Sequence, residues 1–254
     1  MTILRLSFQP MNIGKLNKLR NLARSGRDAL QRKLLRPLGG EPISLPGQFQ
    51  TYNYTLPDRY PWLFQFAAAS LGEVSDLRLL SFGCSRGDEV FTLCKYFQTA
   101  TIKGIDVDPA NIAHCQSRLP IGAKQSIAFA TAASTESEAD ESYDAIFCLA
   151  VLCLGDLTTT DAQVCTPRLC FKDFDAAVGD LARCLKPGGL LFLHTTNFRF
   201  CDTTCAADFE TVLEALPSQL ASDVLFDRTN RLMRGHRYTA VGFRKKPAPA
   251  GGAP

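Results

Sequence analysis

The residues whose types and spacing could do chemistry begin in the stretch 79–90, LLSFGCSRGDEV. An apolar run ends in Gly83 and Gly87, and Asp88 and Glu89 open a helical pattern directly behind them. A buried strand that turns through glycines into a helix N-terminus leaves backbone N–H groups without partners and lets a ligand approach the main chain. This is the geometry of a nucleotide-binding turn. Asp106 follows nineteen residues after Gly87, at the end of the next apolar run, where a carboxylate can accept both hydroxyls of a ribose. His194 closes a later apolar run. It falls on the edge where open α/β sheets meet their ligands, and a neutral imidazole there can take a proton. A histidine packed beneath the site is the competing reading.

Missing motifs narrow the ligand. Gly83 is followed by Cys84, Ser85 and Arg86 before Gly87, so the Gly-x-Gly-x-x-Gly dehydrogenase fingerprint is absent. No phosphate loop ending in Gly-Lys-Ser/Thr exists, and no Tyr-x-x-x-Lys stands ready for a nicotinamide. The expected ligand is an adenosine compound with little need for pyrophosphate contacts.

Alternating strand and helix patterns must hold these residues in place. Strands are predicted at 78–82, 101–107, 126–130, 144–151 and 190–195, with helices at 88–97, 109–118 and 174–185. The turn Lys186-Pro187-Gly188-Gly189 leads into the fifth strand. That order implies a parallel, doubly wound sheet. Residues 206–216 read as a helix stopped by Pro217, and 223–228 and 237–243 as two closing strands. Before the sheet, 37–57 reads as a linker or lid, and Asp58 as the cap of a helix over 59–71 with Pro61 in its first turn. Its aromatics, Trp62 among them, suit either core packing or a substrate lid.

With 254 residues, 46% of them apolar, the chain can hold one large α/β domain with short additions. No apolar run reaches the roughly 18 residues of a membrane span. The net charge of +3 hides an asymmetry. Residues 1–36 carry nine Lys/Arg against Asp28 alone, residues 228–246 carry seven and no acid, and the body 37–227 keeps 12 basic against 24 acidic residues. Within the first segment, 14–35 has the three-and-four spacing of a basic amphipathic helix. It can pack on the body, bind nucleic acid or anionic lipid, or act as an organelle targeting sequence. The ten cysteines include no Cys-x-x-Cys pair, so no metal site is expected. Cys148, Cys153 and Cys184 sit in apolar patterns, which suits a reducing, cytoplasmic setting.

Four segments, SFGCSRGDE, GIDVDPANI, SYDAIFCLAVL and LARCLKPGGLLFLH, resemble in order and spacing those of the class I S-adenosylmethionine-dependent methyltransferases. The resemblance covers about residues 77–196. It implies a Rossmann-like seven-stranded sheet in the order 3-2-1-4-5-7-6 with strand seven antiparallel, and S-adenosylmethionine as cofactor. It also implies that Gly83 and Gly87, with Cys84, Ser85 and Arg86 between them, hold the methionine side. Asp106 and Val107 then take the ribose, and Leu149 and Ala150 the reacting end. The family's acid for the adenine amino group has no counterpart after strand three, where Thr131 or a backbone carbonyl substitutes. Arg86, a cation near a sulfonium, is expected to point at the cofactor carboxylate or outward to a lid acid.

The implied organisation is a basic extension (1–36), a lid and helix (37–76), a methyltransferase domain (77–246) and a disordered tail (247–254). Methyl transfer to a small molecule is the preferred function. His194 is the candidate base, and Tyr52, Tyr54, Trp62, Asn197, Arg199 and His236 are candidate substrate contacts. The insertion 152–172 reads as too irregular for a core element and as lying over the methyl group. The motif I turn also resembles that of chemotaxis-type protein glutamate methyltransferases, but Leu149-Ala150 stands where those have Arg-Asn. Protein carboxyl or RNA methylation is therefore the alternative. From another class, a catalytically silent module of the same fold could use its basic ends, 1–36 and 228–246, to bind nucleic acid or an anionic membrane surface.

Overall fold

The computed structural model describes residues 47–50, 53–119, 126–158, 162–220 and 224–247. The expected basic helix at 14–35, Tyr52 and nearly all of the expected tail lie outside them. Seven strands form one sheet in the order β3-β2-β1-β4-β5-β7-β6. They are β1 (Arg78–Phe82), β2 (Thr101–Asp106), β3 (Ile127–Thr131), β4 (Tyr143–Leu149), β5 (Leu185–His194), β6 (Phe209–Glu214) and β7 (Ala240–Lys245). The first five pair in parallel, and β7 runs antiparallel to both β5 and β6. Among the described residues the α-helices are α1 (Pro61–Leu71), α2 (Asp88–Tyr96), α3 (Pro109–Ser117) and α4 (Phe171–Cys184).

The inner strands β4 and β5 contain continuous apolar runs, 145–149 and 190–193, because both faces are covered there. Successive residues alternate between two cores. Leu79, Ala145, Phe147, Leu190 and Phe192 pack with Leu63 and Phe64 of α1, Val90 and Leu93 of α2, and Ile112 of α3. Leu80, Ile146, Cys148, Leu191 and Leu193 pack with Phe174, Val178 and Leu181 of α4. All ten cysteines are free thiols, and Cys148, Cys153 and Cys184 are buried. No helix among the described residues is long and apolar enough to cross a membrane.

Several local expectations change. Residues 209–214 form the edge strand β6, not a helix. Phe209, Val212 and Leu213 satisfy a helical spacing, but pairing with β7 and burial of Phe209 override it. Residues 224–228, the described part of the expected strand, make no strand; Phe226 makes an isolated bridge to Leu232. Asp58 does not cap α1. It has φ 51°, its N–H donates to Thr92 Oγ1 at 3.0 Å, and its carboxylate accepts from Tyr96 Oη at 3.0 Å. Tyr60 stands at the helix N-cap instead.

The insertion after β4 is core, contrary to its irregular sequence. Leu152, Leu154, Leu157, Cys165 and Leu169 are buried against Phe174, Phe198 and Phe226. Residues 230–232 stabilise it by backbone pairing: Cys165 N donates to Asn230 O, and Leu232 N donates to Gln163 O. Asn230 Oδ1 also accepts the Phe171 N–H at 2.7 Å, so a distant side chain satisfies the first turn of α4.

The C-terminal cations are largely spent on structure. Lys245 Nζ donates to the carbonyls of Ala182 and Leu185 at the end of α4, Lys246 Nζ to Ala207 O, and Arg244 Nη1 to Gly188 O. Such bonds satisfy carbonyls that a helix end leaves open.

Phe192 is fully buried, stacked on Phe147 at 5.0 Å and met edge-on by Phe66 at 6.4 Å. Phe192→Ala is expected to cost about 3–5 kcal/mol, read as a lower urea midpoint with an unchanged m-value. A loss under about 1 kcal/mol would mean that this layer is not close-packed.

Candidate cofactor and active site

The floor of the site is the turn between β1 and α2. Gly83 N and Cys84 N both donate to Ile105 O, at 2.8 and 2.9 Å, and Gly87 N donates to Cys84 O at 2.9 Å. Gly83 has φ 74°, and a Cβ there would lie 2.4 Å from Val151 Cγ2, so any side chain would clash. Ser85 takes φ 48°. Its N–H donates to Asp106 Oδ2 at 2.7 Å, while Asp106 Oδ1 accepts from Asp108 N at 2.9 Å and Asn111 Nδ2 at 3.0 Å. Three of the roughly four acceptor positions of the carboxylate thus hold the protein together. One remains for a ribose hydroxyl, where the sequence pointed to two.

Above the floor lies a cleft of about 890 Å³, measured out to solvent. Its roof includes residues 47–50 and 53–60, a strap pinned at several points. A Cβ on Gly47 would stand 2.7 Å from the Ala133 Cβ, Gln50 Nε2 donates to Cys153 Sγ at 3.2 Å, and Asn53 Oδ1 accepts from Asn111 Nδ2 at 3.1 Å. The expected lid is therefore a strap that crosses the cleft from beyond β3 to α2.

Two opposite charges line this cleft, Arg59 from the strap and Glu89 from the first turn of α2. The Arg59 guanidinium lies 5.0 Å from the ring centres of both Tyr54 and Tyr60, and its Nη1 donates to Tyr54 O at 3.1 Å. Glu89 Oε1 accepts from Ser81 Oγ at 2.7 Å. Burial raises its pKa to about 7, against the lowering effects of Ser81 and Arg59.

These features fit the adenosyl sulfonium cofactor implied by the resemblance. Asp106 offers one acceptor to the ribose. Gly83 leaves room where a side chain would fill the cleft. Arg59 and Glu89 match the carboxylate and ammonium of an amino-acid head. Among the described residues the buried Ser85 Oγ has no hydrogen-bond partner, so a ligand can supply one.

At the far end, Ala150 and Thr195 directly follow β4 and β5, with φ of 60° and 59°. A β-branched residue in that region is strained, a condition that concentrates at functional sites. His194 does not line the cleft. It is 1% exposed, with its ring 4.8 Å from Tyr60 and 5.9 Å from Trp62. Its Nε2 lies 3.0 Å from Gln219 O, an acceptor, so the neutral ring carries its proton there. Nδ1 then accepts from Thr195 Oγ1 at 2.8 Å. Burial pushes the pKa down to about 4, aided by Arg59 and opposed by the Gln219 bond. The histidine is thus a neutral support behind Tyr60.

Of the cofactor residues read from sequence, Gly83, Cys84, Ser85, Asp106, Val107, Leu149 and Ala150 line the cleft. Gly87 shapes the turn from below. Arg86 is exposed and off the cleft, and its carbonyl accepts from Arg118 Nη1. Thr131 is exposed, and Ala132 and Ala133 line the wall in its place. Among the substrate candidates Tyr54 lines the cleft, while Trp62 backs His194. Asn197 is consumed as a tie, accepting from Leu154 N at 2.7 Å and donating to Val224 O at 3.1 Å. Arg199 pairs with Asp202, and His236 is exposed in a turn. Sequence reasoning missed Arg59, Glu89 and Tyr60. The signal was there: Arg59 stands between Leu56 and Tyr60 in a proline-kinked aromatic stretch, and Glu89 is a second acid at a helix start.

The His194 ring is expected to show the Nε2–H tautomer by nitrogen NMR and no titration between pH 8 and 5. The lowered pKa leaves the imidazole neutral throughout that range. A midpoint near 6.5 would place the ring in solvent contact and remove it from its support role.

A methyltransferase domain family matches residues 52–237. Solved structures similar to the chain include the YcgJ protein from Bacillus subtilis, 17% identical over 56% of this chain and 51% of that one, with a TM-score of 0.40. An S-adenosylmethionine dependent methyltransferase from Mesorhizobium loti is 18% identical over 51% of each chain, with a TM-score of 0.35. Geranyl diphosphate methyltransferase, in complex with GPP and sinefungin, is 17% identical over 52% of this chain and 43% of that one, with a TM-score of 0.38. The chain spans about half the length of the solved structures it matches, or less. No curated protein sequence matches it. Matched over most of its length, the chain belongs to the methyltransferase domain family, and its sheet has the strand order 3-2-1-4-5-7-6 that the sequence resemblance implied.

Proposed function

We propose that the protein is an S-adenosylmethionine-dependent methyltransferase acting on a small-molecule acceptor, with 77–246 as its methyltransferase domain and 37–76 as a lid or linker and N-terminal helix. One observation carries the reading: a glycine-walled cleft with Asp106 on its floor and the oppositely charged Arg59 and Glu89 facing the same space. When bound, the cofactor supplies an electrophilic methyl on a sulfonium, displaced in line by the acceptor. The protein's part is mainly positioning, because holding a nucleophile about 3 Å from the reacting carbon in the right orientation supplies most of the acceleration.

Asp106 and the turn at 83–87 fix the ribose end, and Leu149, Ala150 and Val151 wall the reacting end. Tyr60, supported by His194 and Thr195, presents its phenol beside that wall, and the strap excludes water. The strap also supports the choice of acceptor. A roof held to Cys153, Asn111 and Thr92 covers the cleft, and an enclosed cleft suits a small acceptor. The consumption of Arg244, Lys245 and Lys246 in local bonds argues in the same direction.

Calorimetric titration with S-adenosylmethionine is expected to show binding that Asp106→Ala weakens by about 100-fold, equivalent to losing one charge-assisted hydrogen bond. Incubation of the protein with methyl-labelled cofactor and a fractionated extract is expected to place label in the small-molecule fraction. Absence of binding, or label confined to protein or RNA, would reject the reading.

A further inference from the structure

Two thiols lie side by side at the floor of the cleft. Cys84 stands in the glycine turn after β1 and lines the cleft, while Cys115 comes from the last turn of α3 and is buried behind it. Both sulfurs converge on one carbonyl, that of Ser85, with Cys115 Sγ at 3.2 Å and Cys84 Sγ at 3.8 Å. The two thiols also hydrogen-bond each other. The backbone leaves room for the pair. A Cβ on Gly104 of β2 would stand 3.0 Å from Cys84 Sγ, and one on Gly87 at the cap of α2 would stand 3.0 Å from Cys115 Sγ. Packing asks only for a small apolar volume at each position, whereas two thiols in contact add the chemistry of a disulfide.

We propose that Cys84 and Cys115 form a reversible disulfide with hydrogen peroxide as oxidant, and that this crosslink and the bound cofactor exclude each other. The disulfide stands on the thiols alone, and the exclusion rests on the cofactor reading above. Peroxide entering the cleft meets Cys84 first. The sulfur attacks one peroxide oxygen, the O–O bond breaks, and the leaving hydroxide takes the thiol proton away as water, so that Cys84 becomes a sulfenic acid. Cys115 then attacks that sulfur. The S–S bond forms, the S–O bond breaks, and hydroxide departs with the Cys115 proton as a second water. The two thiols lose two electrons and the peroxide gains them.

Exclusion follows from the geometry of the floor. Closing a disulfide brings the sulfurs to about 2.05 Å, so the turn and α3 must approach, and Ser85 O loses both S–H donors. Ser85 is held at φ 48° with its N–H on Asp106 Oδ2, and Asp106 is tied to α3 through Asn111. A shift of the turn against α3 therefore displaces both the Asp106 acceptor and the Cys84 wall. In the other direction, a cofactor seated on this floor covers Cys84 from the oxidant. One coupling acts both ways.

The test treats the whole reduced protein with hydrogen peroxide, blocks the remaining thiols with iodoacetamide and maps linked peptides by mass. The expected product is a Cys84–Cys115 peptide pair lighter by two hydrogens and separated again by dithiothreitol. S-adenosylhomocysteine at about 100 times its Kd should slow formation of that link by roughly tenfold or more. The oxidised protein should in turn bind S-adenosylhomocysteine roughly tenfold more weakly or worse by calorimetry. Cys115→Ser keeps a donor for Ser85 O and should bind within about threefold of the parent, before and after peroxide. If that variant unfolds, the comparison of reduced with oxidised parent protein decides alone. Other linked pairs only, or oxidation of single cysteines without a link, would refute the disulfide. A link that forms equally fast with and without bound S-adenosylhomocysteine would refute the exclusion. Failure of the reduced protein to bind S-adenosylhomocysteine would strike the cofactor reading and the exclusion with it, while a mapped Cys84–Cys115 link would still uphold the disulfide.

Discussion

The Asp106 carboxylate is the constraint on which the site depends. It joins the strained Ser85 N–H of the turn after β1 to Asp108 N and Asn111 Nδ2 at the start of α3. Through Asn111 it also reaches the strap at Asn53. One buried anion thus ties the glycine turn, the β2 edge and part of the roof. A carboxylate accepting several N–H bonds is well satisfied without a counter-ion. This lets an acid sit 7% exposed on the floor of a cleft while keeping an acceptor for a ligand.

The sheet order and the turn were legible because they rest on local signals. Glycines at 83 and 87 are demanded by positive φ and, at 83, by the nearness of Val151. The inner strands β4 and β5 carry the apolar runs 145–149 and 190–193, since both their faces are buried there. Edges were harder. At 209–214 the apolar residues satisfy helical spacing, and only pairing with β7 decides for a strand. The 152–169 segment looked irregular because it follows no period, yet Leu152, Leu154 and Leu169 are buried as deeply as any strand residue. Burial imposed by a neighbouring loop leaves no periodic trace.

Site residues divided along the same line. Those supplied by the turn and strand ends could be named from sequence. Arg59, Glu89 and Tyr60 could not, because their meeting depends on a strap folding back across 30 residues. Conversely, Asn197 and Arg199, attractive beside His194 in the chain, are spent on Leu154, Val224 and Asp202. Sequence proximity to a strand end does not say which side chains turn toward the ligand.

Helix α2 has a part in both halves of the cleft. Glu89, one turn in, faces the cavity, while Thr92 and Tyr96 along the same helix hold Asp58 of the strap at 3.0 Å each. Floor and roof therefore share a single rigid rod only nine residues long. The spacing of cavity wall and cover is thus set by the pitch of one helix, and no further element is needed to keep the two in register.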